Sequence, residues 1–326
     1  MGVASYVQTG GFGPSKMLPA RMGGYESTKI RMEPDGNVSV FTGTSPSGQG
    51  FATTLSQIVG ESLQIPMEDI RVISGDTMSV PYGMGTSGSR NAAVGGQSAL
   101  MACHKMVDKA KKIVSILLNT ESEIILEGGL FYSRDSPNKK LDWKQIADEA
   151  SFVKNLPSEM DTPLLEVTAL YHPANLTSAF GAHAALVEID PETGKVSLKK
   201  YYGVDDCGRI LNPMIVEGQM QGGIVQGIGE ALYEEVLYDD QGQLLTSSLL
   251  DYAIPSSVEV PQINLDEMET IGLSEIGTKG IGEAGAVVSI AAVANAVSDA
   301  LSHRGTDILK MPFDAEHVWL ALKENN

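Results

Sequence analysis

The feature that most constrains this chain is a pattern that occurs twice along it. Each copy consists of a predicted β-hairpin, a polar loop containing glycine and glutamine, and a helix. In the first copy, residues 26–44 alternate apolar and polar side chains around Pro34-Asp35-Gly36, which is typical of a hairpin. The loop SPSGQG follows, and the spacing of apolar residues then predicts a helix from Phe51 to Leu63.

The second copy lies in the second half of the chain. Residues 183–202 predict a hairpin that turns at Pro191-Glu192-Thr193-Gly194, and residues 218–235 predict a glycine-rich helix. The repetition predicts an α+β fold of two related subdomains, each a hairpin sheet with helices, over residues 1–165 and 166–326. The other predicted elements are a strand over 69–74 and helices over 98–117, 143–150, 284–302 and 315–323.

The composition excludes several classes of function. The 326 residues include 41 Asp and Glu against 23 Lys and Arg, and the net charge of −18 repels nucleic-acid phosphates. Two cysteines, Cys103 and Cys207, cannot form a disulfide framework or hold an iron–sulfur cluster by themselves. The five histidines lack the spacing of zinc sites. We therefore expect no nucleic-acid partner and no metal ligated by side chains of this chain.

The most apolar run, Ala284 to Leu301, indicates a buried helix rather than a membrane span because it carries Ser289, Asn295 and Asp299. The first residues, MGVASYVQTGG, lack the basic segment and apolar core of a secretory signal. These two observations predict a cytoplasmic protein that does not contact membranes.

The segment Gly280-Ile281-Gly282-Glu283-Ala284-Gly285 matches the letters of the dinucleotide-binding motif GxGxxG. That motif requires a buried strand directly before it and an acidic residue that ends a later strand. Here the preceding residues are polar and broken by glycine, and Asp299 falls inside a predicted helix. The context therefore argues against a nicotinamide-dependent dehydrogenase.

Three glutamines next to glycines, Gln49, Gln97 and Gln226, are candidate ligand-binding residues. A glutamine side chain offers one acceptor and two donors, and neighbouring glycines let the backbone approach a flat ligand closely. The alternative interpretation is that these segments are tight turns and close helix crossings.

Glu283 is the most conspicuous single residue, because it lies between glycines at the start of an otherwise apolar helix. The carboxylate is explained equally well in two ways: as an anion stabilised by the helix dipole, or as a desolvated base for proton transfer. Residue chemistry alone leaves both open.

Five segments in order carry a resemblance to a known family: GTSPSGQG (43–50), VPYGMGTSGSR (80–90), DCGRILNP (206–213), VQGIGEAL (225–232) and KGIGEAG (279–285). Together they resemble the molybdopterin-binding subunit of the xanthine dehydrogenase family, the molybdenum hydroxylases, over about residues 2–323. Only the C-terminal part of that subunit is matched. The chain therefore looks like the medium molybdopterin subunit of an enzyme whose large subunit is divided, as in nicotinate dehydrogenase.

The resemblance implies roles for individual residues. Glu283 corresponds to the catalytic glutamate, which takes the proton from a water-derived oxygen that attacks an electron-poor carbon. The cofactor contacts correspond to Gly48, Gln49, Gly50, Thr86, Ser87, Gly88, Ser89, Arg90, Asn91, Gln226 and Gly227. The metal is expected to be held by the pterin itself. Ala284-Gly285 resembles the prokaryotic branch, which implies the molybdopterin cytosine dinucleotide.

The resemblance also implies an activity and partners. We expect a molybdopterin-dependent dehydrogenase that hydroxylates an N-heterocycle, with nicotinate converted to 6-hydroxynicotinate as the first candidate. The expected partners are a second, large molybdopterin subunit, an iron–sulfur subunit, an FAD subunit and a small heteroaromatic substrate. The alternatives are an aldehyde or carbon monoxide oxidoreductase of the same family, and a cofactor-binding or assembly protein without turnover.

Overall fold

The computed structural model describes residues 1–13, 24–152, 164–305 and 310–324. Within these ranges the chain divides into two compact units. We call residues Gly10–Thr177 with Gly272–Gly280 the middle unit, and residues Met1–Thr9 with Ser178–Ile271 and Ile281–Asn326 the terminal unit.

The middle unit is built on a four-stranded sheet in the order β4-β3-β2-β8. The hairpin pairs β2 (Glu26–Met32) with β3 (Val38–Thr42) in antiparallel register, and its turn uses Gly36 at a φ of 94°. Strand β4 (Ile70–Ile73) pairs with β3 in parallel, and β8 (Glu166–Tyr171) pairs with the other edge of β2 in antiparallel register. Parallel pairing of β3 and β4 requires the crossover that α1 (Phe51–Leu63) supplies.

A long helix packs against this sheet in the middle unit. The chain enters it through one π-helical stretch, Asn91–Gly96, and continues as α2 (Gln97–Leu117). The core between helices and sheet contains Leu55, Val59, Met106 and Ile113, which are all fully buried. A small sheet of β5 (Ile124–Glu127), β6 (Leu130–Ser133) and β7 (Ser136–Asp142) leads into α3 (Trp143–Ser151).

The terminal unit has a four-stranded sheet in the order β1-β9-β10-β11, formed by β1 (Gly2–Gly10), β9 (Thr177–Ile189), β10 (Val196–Asp206) and β11 (Ile263–Met268). The hairpin of β9 and β10 is antiparallel, and β11 joins β10 in parallel. Its helices are α4 (Pro213–Leu232), α5 (Ala284–Leu301) and α6 (Ala315–Glu324).

The two units share one topology, which confirms the predicted pair of related α+β subdomains. In each, an antiparallel hairpin is followed by a helix, by a strand parallel to the second hairpin strand, and by a long helix. The fourth strand lies beside the first hairpin strand in both sheets, but it comes late in the chain as β8 and first in the chain as β1. Relative to the ranges 1–165 and 166–326, residues 1–9 belong to the terminal unit and residues 166–177 and 272–280 belong to the middle unit, and the predicted division stays a prediction.

Most element bounds agree with the predicted ones, and two differ for local reasons. Helix α4 begins at Pro213 rather than near residue 218, because the Asn212 side chain accepts a 3.1 Å hydrogen bond from the Ile215 N–H and proline suits the first helical turn. Gln97, expected in a loop, lies in α2, where its Oε1 accepts a 2.8 Å hydrogen bond from the Ile276 N–H. Its side chain therefore fastens the backbone of residues 272–280.

Helix α5 is buried in the core of the terminal unit, as predicted. Ala292, Val293, Ala296 and Val297 of this helix are all fully buried among apolar side chains of the sheet and of α4. By length and composition, one helix in the described ranges, Ala284–Arg304, could cross a membrane, and half of its most apolar window is buried. A core helix meets the same criterion, so this finding carries little weight.

Candidate functional site

Gln49 lies in the loop before α1, where glycine conformations shape the backbone. Gly48 has a φ of 98° with open space where a Cβ would stand, and Gly50 caps the helix at a φ of 71° without a side-chain hydrogen bond. Gln49 turns back on the loop, since its Oε1 accepts a 2.5 Å hydrogen bond from the Ser47 N–H and its Nε2 donates to the Ser45 carbonyl at 3.4 Å. The first turn of α1 is thus left open for an anionic or polar group.

A second loop, residues 86–91, reaches the first one. The Thr86 hydroxyl donates to the Ser45 carbonyl, and the Gly85 N–H donates to the Gly43 carbonyl at 3.2 Å. Gly88 and Ser89 both take left-handed backbone conformations, at φ values of 55° and 51°. The structure therefore brings together the two predicted cofactor loops of the middle unit.

Arg90 belongs to this loop with its side chain turned into the protein, and its predicted contact with the cofactor stays a prediction. Its side chain is fully buried and donates to Glu26 Oε2 at 2.5 Å. The other guanidinium hydrogen bonds go to the carbonyls of Phe12, Gly24 and Gly85, at 2.6, 2.7 and 3.0 Å. Because these groups of its own chain surround the charge, Arg90 shapes the loop rather than presenting a cation to a ligand.

Asn91 is the residue of this loop with unused hydrogen-bonding capacity. Its side chain is 9% exposed, and neither Oδ1 nor Nδ2 has a hydrogen-bond partner in the described ranges. The hydroxyl of Thr278, which is 2% exposed and belongs to the same unit, is also unsatisfied there. Buried polar atoms without partners are rare and costly, so both side chains fit a polar ligand that completes their hydrogen bonds.

In the terminal unit, the glycines of α4 serve helix packing. A Cβ on Gly223 would lie 3.0 Å from the Ala286 backbone nitrogen, and a Cβ on Gly227 would overlap the Ser289 hydroxyl. Gly227 is therefore buried in the crossing of α4 and α5, and its predicted contact with the cofactor stays a prediction. Gln226 next to it is exposed on α4, as a ligand-contacting side chain requires.

Glu283 lies at the N-cap position of α5 with an exposed side chain. It makes no side-chain capping hydrogen bond to the helix, and its position still fits an anion stabilised by the helix dipole. Its Oε2 instead accepts a 3.0 Å hydrogen bond from Nε2 of Gln8, a residue of β1. The carboxylate is thus oriented by a neutral amide and open to solvent within this chain.

A buried polar network in the terminal unit was not expected from the sequence. The Tyr6 hydroxyl donates to Asp205 Oδ1 at 2.7 Å, and the imidazole of His183 bridges Asp205 Oδ2 at 2.8 Å and the Tyr201 hydroxyl at 2.9 Å. Burial and the neighbouring Asp205 carboxylate raise the pKa of both tyrosines well above the usual range, so both stay protonated. The available signal was a histidine at the start of the predicted hairpin and an aspartate just beyond its end.

No group of three or more His, Cys, Asp or Glu side chains suited to holding a metal ion occurs in the described ranges. The candidate site therefore consists of two sets of residues, one in each unit. The middle unit carries the loops at 48–50 and 86–91, and the terminal unit carries Gln226 on α4 and Glu283 at the start of α5.

Comparison with known proteins gives the family. Residues 1–261 match the family described as molybdopterin cofactor-binding domain. The chain belongs to this family. It is 38% identical, over 329 aligned residues, to the carbon monoxide dehydrogenase large chain of Hydrogenophaga pseudoflava, covering 100% of this chain and 41% of that one.

Other members of the molybdopterin-binding family are similarly close. The nicotine 6-hydroxylase large subunit of Paenarthrobacter nicotinovorans is 37% identical, covering 92% of this chain and 37% of that subunit. The crystal structure of quinoline 2-oxidoreductase from Pseudomonas putida 86 matches with a TM-score of 0.89 and 37% identity, covering 99% of this chain and 42% of that one. The chain thus spans about two fifths of the length of these relatives, and its fold is that of their cofactor-binding part.

Proposed function

We propose that this chain is part of a molybdenum hydroxylase, in which it binds a molybdopterin dinucleotide and supplies Glu283 as the general base. The observation that carries the proposal is the Glu283 carboxylate, exposed at the start of α5 and oriented by the Gln8 amide. An oriented, accessible carboxylate is able to accept the proton released when a water-derived oxygen adds to an electron-poor carbon.

The residues of the middle unit fit the cofactor. Asn91 and Thr278 hold unsatisfied buried polar atoms, and the first turn of α1 is open behind Gly48 and Gly50. A pterin with amide and amino edges supplies hydrogen-bond partners for such side chains, and its phosphates suit a helix N-terminus. When bound, the molybdenum centre supplies the redox chemistry and accepts two electrons. The sequence Ala284-Gly285, which resembles the prokaryotic branch, supports the cytosine dinucleotide form of the cofactor.

The proposed substrate is a small N-heterocycle, with nicotinate as first candidate. Two relatives are named for N-heterocyclic compounds, nicotine 6-hydroxylase and quinoline 2-oxidoreductase. The carbon monoxide dehydrogenase large chain, at 38% identity, supports the alternative of carbon monoxide oxidation. Assays of the native complex with nicotinate, quinoline, an aldehyde and carbon monoxide separate these substrates.

The proposed partners are a large molybdopterin subunit, an iron–sulfur subunit and an FAD subunit. Support for the first is the segment of residues 236–258 in the terminal unit, which lies between α4 and β11 and exposes several apolar side chains. Leu249, Leu250 and Val258 in this segment are 78%, 97% and 88% exposed. Exposed apolar side chains of this kind mark protein interfaces.

Electron-transfer partners are proposed on chemical grounds, because the two cysteines of this chain cannot hold an iron–sulfur cluster by themselves. The two buried free thiols also support a cytoplasmic location.

The test uses the native complex with Glu283→Gln, which keeps the side-chain shape but cannot accept the proton. We expect normal molybdenum and cytidine nucleotide contents and a loss of turnover of about 10²–10⁴-fold. The matched control is Glu188→Gln, an exposed carboxylate that pairs with Lys199, and it should leave turnover unchanged. Full turnover in Glu283→Gln would contradict the catalytic role. A fully loaded wild-type complex that oxidises none of these substrates would favour an assembly protein.

A further inference from the structure

The inward-facing residues of β1 pack along the length of α5 within the terminal unit. Every second strand residue faces the unit's interior, starting with Gly2, where a Cβ would overlap the backbone of Ala296. Two residues on, Ala4 packs against the cluster that contains Ala292 and Ala296. The strand therefore lies directly against the helix.

The same face continues towards the start of the helix. Tyr6 packs in one cluster with Val288 and Ala284, and Gln8 then reaches Glu283. Two strand residues advance about 6.6 Å and four helix residues about 6 Å, so each inward position of β1 meets the next turn of α5. This register delivers Gln8 to the N-cap residue of the helix, although the two residues are 275 positions apart in sequence.

The orientation of the Gln8 amide follows from its neighbour. Nε2 donates to Glu283 Oε2 at 3.0 Å, whereas Oε1 is buried and has no partner in the described ranges. The reverse orientation would place the amide oxygen against a carboxylate oxygen, with no proton between them. The amide is therefore held with its donor towards Glu283.

We propose that Gln8 is a positioning residue for Glu283, fixing the direction in which the carboxylate points. An oriented carboxylate transfers protons more effectively than a freely rotating one. The inference rests on the proposed function of Glu283 as a base.

The alternative role for Gln8 is a structural tether of β1. Other contacts already hold that strand, since Tyr6 donates to Asp205 at 2.7 Å and Asn295 Nδ2 donates to the Val3 carbonyl at 2.9 Å. A tether predicts that changing Gln8 alters thermal stability alone. A positioning residue predicts a lower kcat at an unchanged KM.

The experiment compares Gln8→Ala and Gln8→Glu in the native complex. Gln8→Ala removes the donor, and Gln8→Glu replaces it with an acceptor, so both should lower kcat and leave KM near the wild-type value. Gln8→Ala should lower kcat about tenfold at unchanged molybdenum content. Infrared difference spectra against Glu283→Gln report the hydrogen bonding of the Glu283 carboxylate independently of turnover, and the carboxylate bands should shift in Gln8→Ala.

Gln221 provides the matched control, because its Nε2 donates to Glu217 Oε1 at 2.9 Å in the same unit. Gln221→Ala and Gln221→Glu should leave kcat and the Glu283 carboxylate bands unchanged. If the Gln8 variants change only the melting temperature, and kcat and the Glu283 carboxylate bands equal those of wild type, the positioning role is wrong. If Glu283→Gln retains full turnover, the proposed function itself fails, whichever result the Gln8 variants give.

Discussion

Arg90 and Glu26 form an ion pair of 2.5 Å, in which neither side chain reaches solvent. Burial raises the pKa of Glu26, and the adjacent Arg90 guanidinium partly offsets that effect. Three backbone carbonyls, those of Phe12, Gly24 and Gly85, accept further hydrogen bonds from the guanidinium. The pair therefore ties residues 12, 24 and 85 of the middle unit around one buried cation.

We predict that Arg90→Ala lowers the free energy of unfolding by about 3–5 kcal/mol, because it leaves the Glu26 carboxylate buried without its counter-charge. Arg90→Lys should recover little of this loss, since an ammonium cannot reproduce the planar fork that reaches several carbonyls. Urea unfolding of the purified chain measures both effects. The control is Arg134→Ala, which removes an exposed pair with Glu123 and should change stability little. Equal effects of Arg90→Ala and Arg134→Ala would contradict the stabilising role of the buried Arg90–Glu26 pair.

Two glycines, Gly285 of α5 and Gly222 of α4, should change the stability of the chain in opposite directions when each is replaced by alanine. A Cβ on Gly285 would lie 2.6 Å from the Met220 carbonyl oxygen and 2.7 Å from the Ile224 nitrogen, and both are backbone atoms. Gly285→Ala should therefore destabilise the chain by about 1–3 kcal/mol through overpacking.

Gly222 lies in α4, and in the described part of the chain no atom beyond the adjacent backbone of its own helix lies within 4 Å of the position of a Cβ. Gly222→Ala should stabilise the chain by about 0.5–1 kcal/mol, because alanine loses less backbone entropy in a helix. Thermal unfolding of both variants checks the pair. A destabilising Gly222→Ala, or a neutral Gly285→Ala, would mean that the helices do not cross as described.

Asn91 should affect stability and cofactor content in opposite directions. Removing its unsatisfied amide in Asn91→Ala takes away a desolvation penalty, so the cofactor-free chain should unfold at an equal or higher urea concentration. The same change should lower the molybdenum content of the native complex, because the ligand loses a hydrogen-bonding partner. Metal analysis and urea unfolding are the two measurements. Asn37→Ala, which removes a 2.8 Å contact to Asp35 in an exposed turn, is the control for cofactor content. Unchanged molybdenum in Asn91→Ala would remove this residue from the site.

The two thiols give a prediction about alkaline pH. Burial raises the pKa of Cys103 to about 12, and burial with nearby carboxylates does the same for Cys207. Both groups should react slowly with thiol reagents in the native chain at neutral pH and fast after unfolding.

The sign of the stability effect follows from proton linkage. Unfolded thiols ionise near pH 9.0, so between that value and about 12 the native chain holds more protons, and stability falls as the pH rises. Urea unfolding at about pH 7 and pH 10 measures this fall, which should be smaller in Cys103→Ala. Rapid labelling of the native chain at neutral pH would contradict the burial of the thiols.

The sequence by itself determined the elements that local chemistry specifies. Hairpin turns were predicted where Gly36 and Gly194 supply positive φ values of 94° and 73°. Helix α1 was predicted over its observed range, Phe51–Leu63, because its apolar spacing and the glycine before it act within a few residues. The recurrence of hairpin, loop and helix was enough to predict related subdomains.

Tertiary structure decided what each residue of the candidate site does. Arg90, Asn91 and Gly227 belong to similar glycine-rich segments, yet the first is locked in an ion pair, the second has unsatisfied atoms and the third packs a helix crossing. Gln8 meets Glu283 only because β1 joins the sheet of the terminal unit and lies along α5. Sequence patterns report periodicity over a few residues, whereas burial and partnership depend on which distant segments fill the space around a side chain, and packing alone settles that.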